Sequence, residues 1–239
     1  MRPSSLHYFP FPWPIVLAFG VLLIVALAFL QFWVIGDAYR KMGISRGSVF
    51  GLLLLSLLGS YVNIPVAELA PEPDKVVSGV IVDIGGMRYI VPDVQESPGT
   101  IIAVNLGGAI IPVILSIYLA IKNRLFLQSV VGILIVAVIV HFLARTVRGV
   151  GISVPFFVPP LSAALIALLL SWNHAPAEAY IAGSMGTLLG ADILNLGKIQ
   201  GLGAPVASIG GAGTFDSIFM TGVLAVLLVS IGRSEPEEA

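Results

Sequence analysis

Leu188-Leu-Gly-Ala-Asp-Ile-Leu-Asn-Leu196 and Gly210-Gly-Ala-Gly-Thr-Phe-Asp-Ser-Ile-Phe219 each set one aspartate, Asp192 or Asp216, in apolar sequence. A carboxylate at the middle of a bilayer costs about 3 kcal/mol on insertion scales, so such a residue is read first as functional. The two stretches flank a glycine-rich turn. They read as two membrane helices that share a polar interior.

Composition extends that reading to the whole chain. Of 239 residues, 57% are hydrophobic and 10% charged, where a soluble chain carries about 25% charged residues. The mean hydropathy is +1.02. The net charge of −1 indicates neither a nucleic-acid partner nor attraction to acidic lipid. There is no cysteine, which excludes disulfides, thiol catalysis and thiolate metal sites. His7, His141 and His174 show no metal-ligand spacing, so neither metal nor cofactor is expected.

A helix needs roughly 20 apolar residues to cross the hydrocarbon core. On that measure the chain is expected to be an all-α polytopic membrane protein, one membrane domain over residues 1–239 with about seven spans. They are Pro14–Ile35, Ser48–Val62, Gly99–Ile121, Gln128–Arg145, Pro155–Ser171, Ala177–Leu196 and Phe215–Ile231. The first is too long for a signal-peptide core and is read as retained. Tyr8, Phe9, Phe11 and Trp13 before it, with Phe32 and Trp33 at its end, read as interfacial aromatic belts. Val150 to Pro160, rich in Gly and Pro, is expected to be unwound or re-entrant.

Residues 63–98 form the one sizeable polar segment, read as an extramembrane loop. Within it, Gly79-Val-Ile-Val-Asp-Ile and Met87-Arg-Tyr-Ile-Val-Pro flank Gly85-Gly86, the pattern of a β-hairpin. Arg40, Lys41, Arg46, Lys122, Arg124 and Arg233 fall on one side if the N-terminus is outside and the C-terminus cytoplasmic. Arg145, Arg148 and Lys198 oppose that count. An integral protein of the cell membrane is the expected location. Asp37-Ala-Tyr-Arg-Lys is read as a solvated interfacial loop. Leu57-Leu-Gly-Ser with Asn63, then Asn105-Leu-Gly-Gly-Ala, echo Leu188-Leu-Gly-Ala with Asn195, then Ser208-Ile-Gly-Gly-Ala. That echo suggests a parallel repeat.

Under this topology Asn63, Asn105, His141, Arg145, Arg148, Asp192, Asn195 and Asp216 come from separate spans to one depth near the outer surface. His141, Arg145 and Arg148 are spaced as one stripe of the fourth span. Asp192 and Asn195 share a face of the sixth. Gly183, Gly186 and Gly190 are expected to let another helix approach the other face. The bland readings are a carboxylate complementing a helix dipole at Asp216, an ion pair at Asp192, and asparagines as interhelical hydrogen bonds.

At these residues the chain resembles a family of prokaryotic multi-pass membrane proteins, the domain-of-unknown-function family numbered 1614. The carriers are Gly59-Ser-Tyr-Val-Asn-Ile-Pro, Asn105-Leu-Gly-Gly-Ala-Ile-Ile-Pro, Gly149-Val-Gly-Ile-Ser-Val-Pro, Gly190-Ala-Asp-Ile-Leu-Asn-Leu and the Gly210 to Phe219 stretch. This resemblance implies no activity. A fainter one is to the intramembrane aspartyl proteases of the presenilin and signal-peptide-peptidase type. Ala191-Asp192-Ile193 is similar to their Tyr-Asp, and Gly211 to Asp216 to their Gly-x-Gly-Asp with two residues inserted. If helical, that insertion turns the second carboxylate by roughly 200°.

Three functions follow as expectations. The first is binding or translocation of a small solute or ion, with Asp192 and Asp216 holding a cation or proton, Arg145 and Arg148 balancing them or holding an anionic group, and Asn63, Asn105 and Asn195 orienting the ligand. The second, implied by the fainter resemblance, is an aspartyl peptidase using Asp192 and Asp216 on a membrane-embedded substrate. The third is a non-catalytic membrane scaffold. The lipid bilayer is a partner in all three, and the sequence leaves the oligomeric state open.

Overall fold

The computed structural model describes residues 13–70, 75–84, 87–95, 99–147, 151–199, 206–211 and 217–231. The fold is mostly helical with small sheets. The helices are α1 (Trp13–Lys41), α2 (Arg46–Gly59), α3 (Ile111–Asn123), α4 (Phe126–Leu143), α5 (Val158–Leu170), α6 (Ala175–Thr187) and α7 (Ser217–Ile231). The strands are β1 (Asn63–Leu69), β2 (Lys75–Ile84), β3 (Met87–Gln95), β4 (Thr100–Asn105), β5 (Arg145–Val147), β6 (Gly151–Ser153) and β7 (Val206–Ile209).

α6 is the axis. Every residue in it except Pro176 and Met185 is buried. One side packs with α1, α3 and α7 through Tyr39, Leu119, Tyr180, Ile181, Val223 and Val226. Another packs with α4, α5 and α7 through Val136, Val140, Ala163, Ala167, Ala179 and Ala182. Small residues set these spacings. A Cβ at Gly186 would lie 2.6 Å from Val136, and one at Gly190 would overlap the Ala137 carbonyl, so both glycines face α4. Gly183 instead faces Ala163 of α5 and Thr221 of α7, so the expected glycine seam serves two sides. Ser129 beside Glu178, and Ala137 beside Gly190, show that α4 and α6 run parallel. Tyr180 beside Gly222 and Leu188 beside Ile218 show that α7 runs back along α6.

The bundle therefore has two ends. The ends of α2, α4 and α6 meet the starts of α3 and α7 at a strand end. The turns after α1, α3 and α5 lie at the other, with Arg40, Lys41, Lys122 and Arg124.

At the strand end β1, β4 and β7 form one sheet in that order. β1 pairs antiparallel with β4, and β4 parallel with β7. This corrects the all-α expectation. The third span, expected as helix from Gly99, opens as strand because Thr100-Ile-Ile-Ala-Val is a β-branched run with a partner on each edge. The second span ends at Gly59 rather than Val62, since the chain must extend to pair β1. β2 and β3 pair as the expected hairpin, with Ile84 opposite Met87; the Gly85-Gly86 turn lies outside the described residues. The strands carrying the two echoed motifs are parallel neighbours, each leading towards a helix, although Ala103 rather than Asn105 stands opposite Ser208.

Two helices open into π-turns. Leu106–Ile110 precedes α3, and Leu188–Asp192 follows α6 and leads into a 3-10 turn, Ile193–Lys198. Pro112 has no N–H for the Gly108 carbonyl, one reason a regular turn does not form ahead of α3. α1 runs on through Lys41, so Asp37 to Lys41 is helix and not the expected loop. Asp37 bridges Arg40 at 3.0 Å and Lys41 at 2.9 Å, while Tyr39 turns inward and is fully buried. Gly151 to Phe157 is a short strand and a turn into α5, non-helical as expected.

By length and composition, Leu106–Asn123 and Phe126–Leu143 are long and apolar enough to cross a membrane. Val158–Leu170 and Ile218–Ile231 are shorter apolar helices.

Candidate functional site

The strand end gathers side chains from elements far apart in sequence. Asn105, buried at the end of β4, holds three of them together. Its Oδ1 accepts from the Gly108 N–H at 2.7 Å and so caps the π-turn. Its Nδ2 donates to the Ser60 carbonyl at 2.7 Å and to Asn63 Oδ1 at 3.1 Å. Asn63 Oδ1 also accepts from Ser208 Oγ at 2.6 Å. Two amides and one hydroxyl thus tie α2, β1, β4 and β7 into a single corner.

Glycine makes the corner possible. A Cβ at Gly107 would overlap the Ser56 carbonyl, and one at Gly108 the Gly210 carbonyl. Three stretches of bare backbone cross here at contact distance. Gly210 and Gly211 take φ of +89° and +79°, which only glycine adopts without strain. That turn aims the Gly210 N–H at Asp192, whose Oδ2 accepts it at 2.8 Å. Asp192 is half-buried at the last position of the π-turn.

Asn195, fully buried one turn later, donates from Nδ2 to the Gly190 and Ala191 carbonyls at 2.8 and 3.0 Å. These are carbonyls that the widened turn releases. Its Oδ1 accepts from Lys198 Nζ at 2.7 Å. Asn63, Asn105, Asp192 and Asn195 thus lie at one end of the bundle. Ser208 and Lys198 join them.

The remaining expected residues divide. His141 sits on the last turns of α4, the helix packed on the Leu188–Asp192 turn. Its Nδ1 is buried with no hydrogen-bond partner among the described residues. Arg145 is not on a helical stripe with it, because α4 stops at Leu143 and Arg145 is exposed on β5, paired with Ser153. Arg148 and Asp216 lie outside the described residues, so the Asp192 to Asp216 separation is not defined.

One residue was not anticipated. Glu178, in the first turn of α6, has no exposed surface. Its Oε2 accepts from Ser129 Oγ of α4 at 2.8 Å, and its Oε1 is buried without a partner. Position 178 falls inside the span expected from Ala177, so the signal is an acidic residue within a membrane-grade helix. Tyr39 and Tyr180 were missed for a different reason, because aromatic hydroxyls carry no pattern in sequence. Their rings lie 6.2 Å apart, and with Ser56 and Ser184 they bring four buried hydroxyls near one another, none in hydrogen-bonding geometry.

Residues 57–228 match the family described as Protein of unknown function (DUF1614). The chain belongs to this family. No curated protein and no solved structure matches it. The match takes in the hydrogen-bonded residues of the strand-end corner, from Ser60 to Gly211, and Glu178 with Ser129. In this chain the matched region is a bundle whose helices break at one end into strands, π-turns and glycine crossings. Among its described residues no group of three or more His, Cys, Asp or Glu side chains could hold a metal ion.

Proposed function

We propose that this DUF1614 chain is a polytopic membrane protein whose strand end binds a small polar solute or ion for passage along the bundle. The membrane part of the reading is supported by which residues face out. Leu127, Phe142, Leu169 and Ile231 are each at least 75% exposed, while Glu178, Asn105, Asn195, Ser184 and Thr187 are buried. Apolar outside and polar inside is the arrangement a lipid solvent favours. α1, with 29 residues, is about 44 Å long, enough to cross a core about 30 Å thick with a head beyond it. The basic residues of the other end favour placing it in the cytoplasm of a cell membrane, with the N-terminus outside.

The observation that carries the binding reading is Asp192 on a broken helix end. Non-helical backbone at membrane depth is tolerated where it lines a polar site, and helices interrupted in this way hold substrates and ions in transporters. π-turns concentrate at functional sites for the same reason. Asp192 supplies charge, the glycine turn supplies N–H groups, and Asn63, Ser208 and Lys198 supply further polar atoms. A scaffold reading is favoured by one fact: the side-chain amides of Asn105 and Asn195 are both engaged by neighbouring protein groups, as interhelical hydrogen bonds would be.

Flux separates the two. The full chain is reconstituted in liposomes, and decay of an imposed proton or sodium gradient is followed by an internal dye. The reading expects decay faster than in protein-free liposomes, slowed about tenfold by Asp192→Asn, a barrier change of about 1.4 kcal/mol. Asparagine keeps an acceptor for the Gly210 N–H and removes only the charge. Decay equal to that of protein-free liposomes for both ions leaves the scaffold.

A further inference from the structure

We propose that Glu178 is a second functional site, a proton-exchanging carboxyl in the interior of the bundle at the end of α6 opposite Asp192. The site is built by α4, α5 and α6 together. Glu178 has no exposed surface. Its two oxygens are differentiated: Oε2 accepts from Ser129 Oγ at 2.8 Å, and Oε1 has no partner among the described residues. Gly132 of α4 passes directly over Oε1; a Cβ there would lie 2.6 Å from it, 3.1 Å from Ala182 and 3.6 Å from Leu170. A side chain at 132 would have to displace this carboxyl from its present position.

A first-turn glutamate that merely complements the helix dipole is satisfied in water at the helix surface. Glu178 turns inward instead, against α4, and leaves one oxygen bare. A buried acceptor without a partner is costly, and in native proteins it signals a functional group or an unseen small ligand. The surroundings select which ligand. A hard metal cation takes about six oxygen ligands. Here the carboxyl and one hydroxyl are set among Gly132, Leu170 and Ala182. A proton needs a single oxygen and no added volume. It binds at Oε1, forming one O–H bond, and leaves the same atom as the carboxyl returns to carboxylate.

Charged and titratable groups on the packed elements leave this carboxyl without an ion pair. α5 and α7 contain none. On α4 there is only His141, at the far end. On α3, Tyr118 and Lys122 are exposed, and Lys122 is held by the Gly43 carbonyl. On α1, Asp37 is bridged to Arg40 and Lys41, and Tyr39 faces Tyr180 on another side of α6. On α6 itself Tyr180 faces Tyr39, and His174, four residues before Glu178, is exposed at the same end.

The proposal deepens the translocation reading and is tested so that either can fail alone. Infrared spectra of the purified full chain, with Glu178→Gln as reference, are followed against pH, and the chain is treated with the apolar reagent dicyclohexylcarbodiimide. We expect a protonated-carboxyl band that appears and disappears reversibly with pH and is missing from Glu178→Gln, and carbodiimide adducts on the Glu178 peptide. In proteoliposomes Glu178→Gln slows proton flux at least tenfold. If Glu178→Gln does not fold, Ser129→Ala carries the test, since loss of the hydroxyl displaces the same band. Absence of the band and the adduct overturns the proposal whatever the flux. Unchanged flux in Glu178→Gln overturns it while leaving the Asp192 reading intact. A titrating band in a protein without flux keeps the proton site and removes translocation.

Discussion

Asn105 carries more of the strand end than any other described side chain, and its hydrogen bonds say what its loss costs. Alanine at 105 strips the cap from Gly108 and leaves the Ser60 carbonyl without its side-chain donor. Two buried partners lose their bonds at about 1–3 kcal/mol each. Asn105→Ala is therefore expected to lower the thermal midpoint in detergent by several degrees, measured by the loss of helical circular dichroism. Tyr180 makes the opposite prediction. Its hydroxyl is buried with no partner, so Tyr180→Phe removes a desolvated group without breaking a bond. Its midpoint is expected to equal or exceed that of the parent. A fall of several degrees would show that the Tyr180 hydroxyl is hydrogen-bonded and would contradict this expectation.

At the scale of elements, the glycine crossings discriminate between neighbours in sequence. A Cβ at Gly190 would overlap the Ala137 carbonyl, whereas one at Gly197 meets nothing within 4 Å. Gly190→Ala is expected to push α4 off the π-turn and cost about 1–3 kcal/mol, while Gly197→Ala changes stability by less than about 0.5 kcal/mol. The same comparison shows what sequence can and cannot tell. Long apolar runs with glycine punctuation make the helices of Phe126–Leu143 and Ser217–Ile231 legible almost to the residue. The hairpin was legible because β-branched runs flank two glycines. Strand β4 was not. Thr100-Ile-Ile-Ala-Val-Asn continues directly into an apolar helix, and only the distant β1 and β7 decide its conformation. Asn63 and Asn105, expected on helices, stand instead on β1 and β4, at the same end of the bundle as Asp192 and Asn195. Arg145 was misplaced because helix periodicity was extended past the point where Arg145-Thr-Val pairs with Gly151-Ile-Ser. An acidic residue near a helix start has an ordinary explanation in the helix dipole, and only the packing of Glu178 against Ser129 and Gly132 sets it apart.

For the whole molecule, the account rests on the bundle standing across a bilayer with its strand end and its basic end on opposite sides. The apolar exterior is the physical reason: fully burying one Leu or Phe side chain is favourable by about 1.5–3 kcal/mol, and exposed examples cover the outer faces of α3, α4 and α5. The chain has no cysteine, so single cysteines can be introduced without background. Arg145 on β5 is exposed at the strand end, and His174 before α6 is exposed at the other. The decisive measurement is labelling of Arg145→Cys and His174→Cys by a membrane-impermeant maleimide in sealed right-side-out and inverted vesicles. The account predicts that Arg145→Cys labels in right-side-out vesicles and His174→Cys in inverted ones, each becoming reactive in the other orientation only after permeabilisation. Labelling of both from the same side, or recovery of the chain in the soluble fraction, would contradict it.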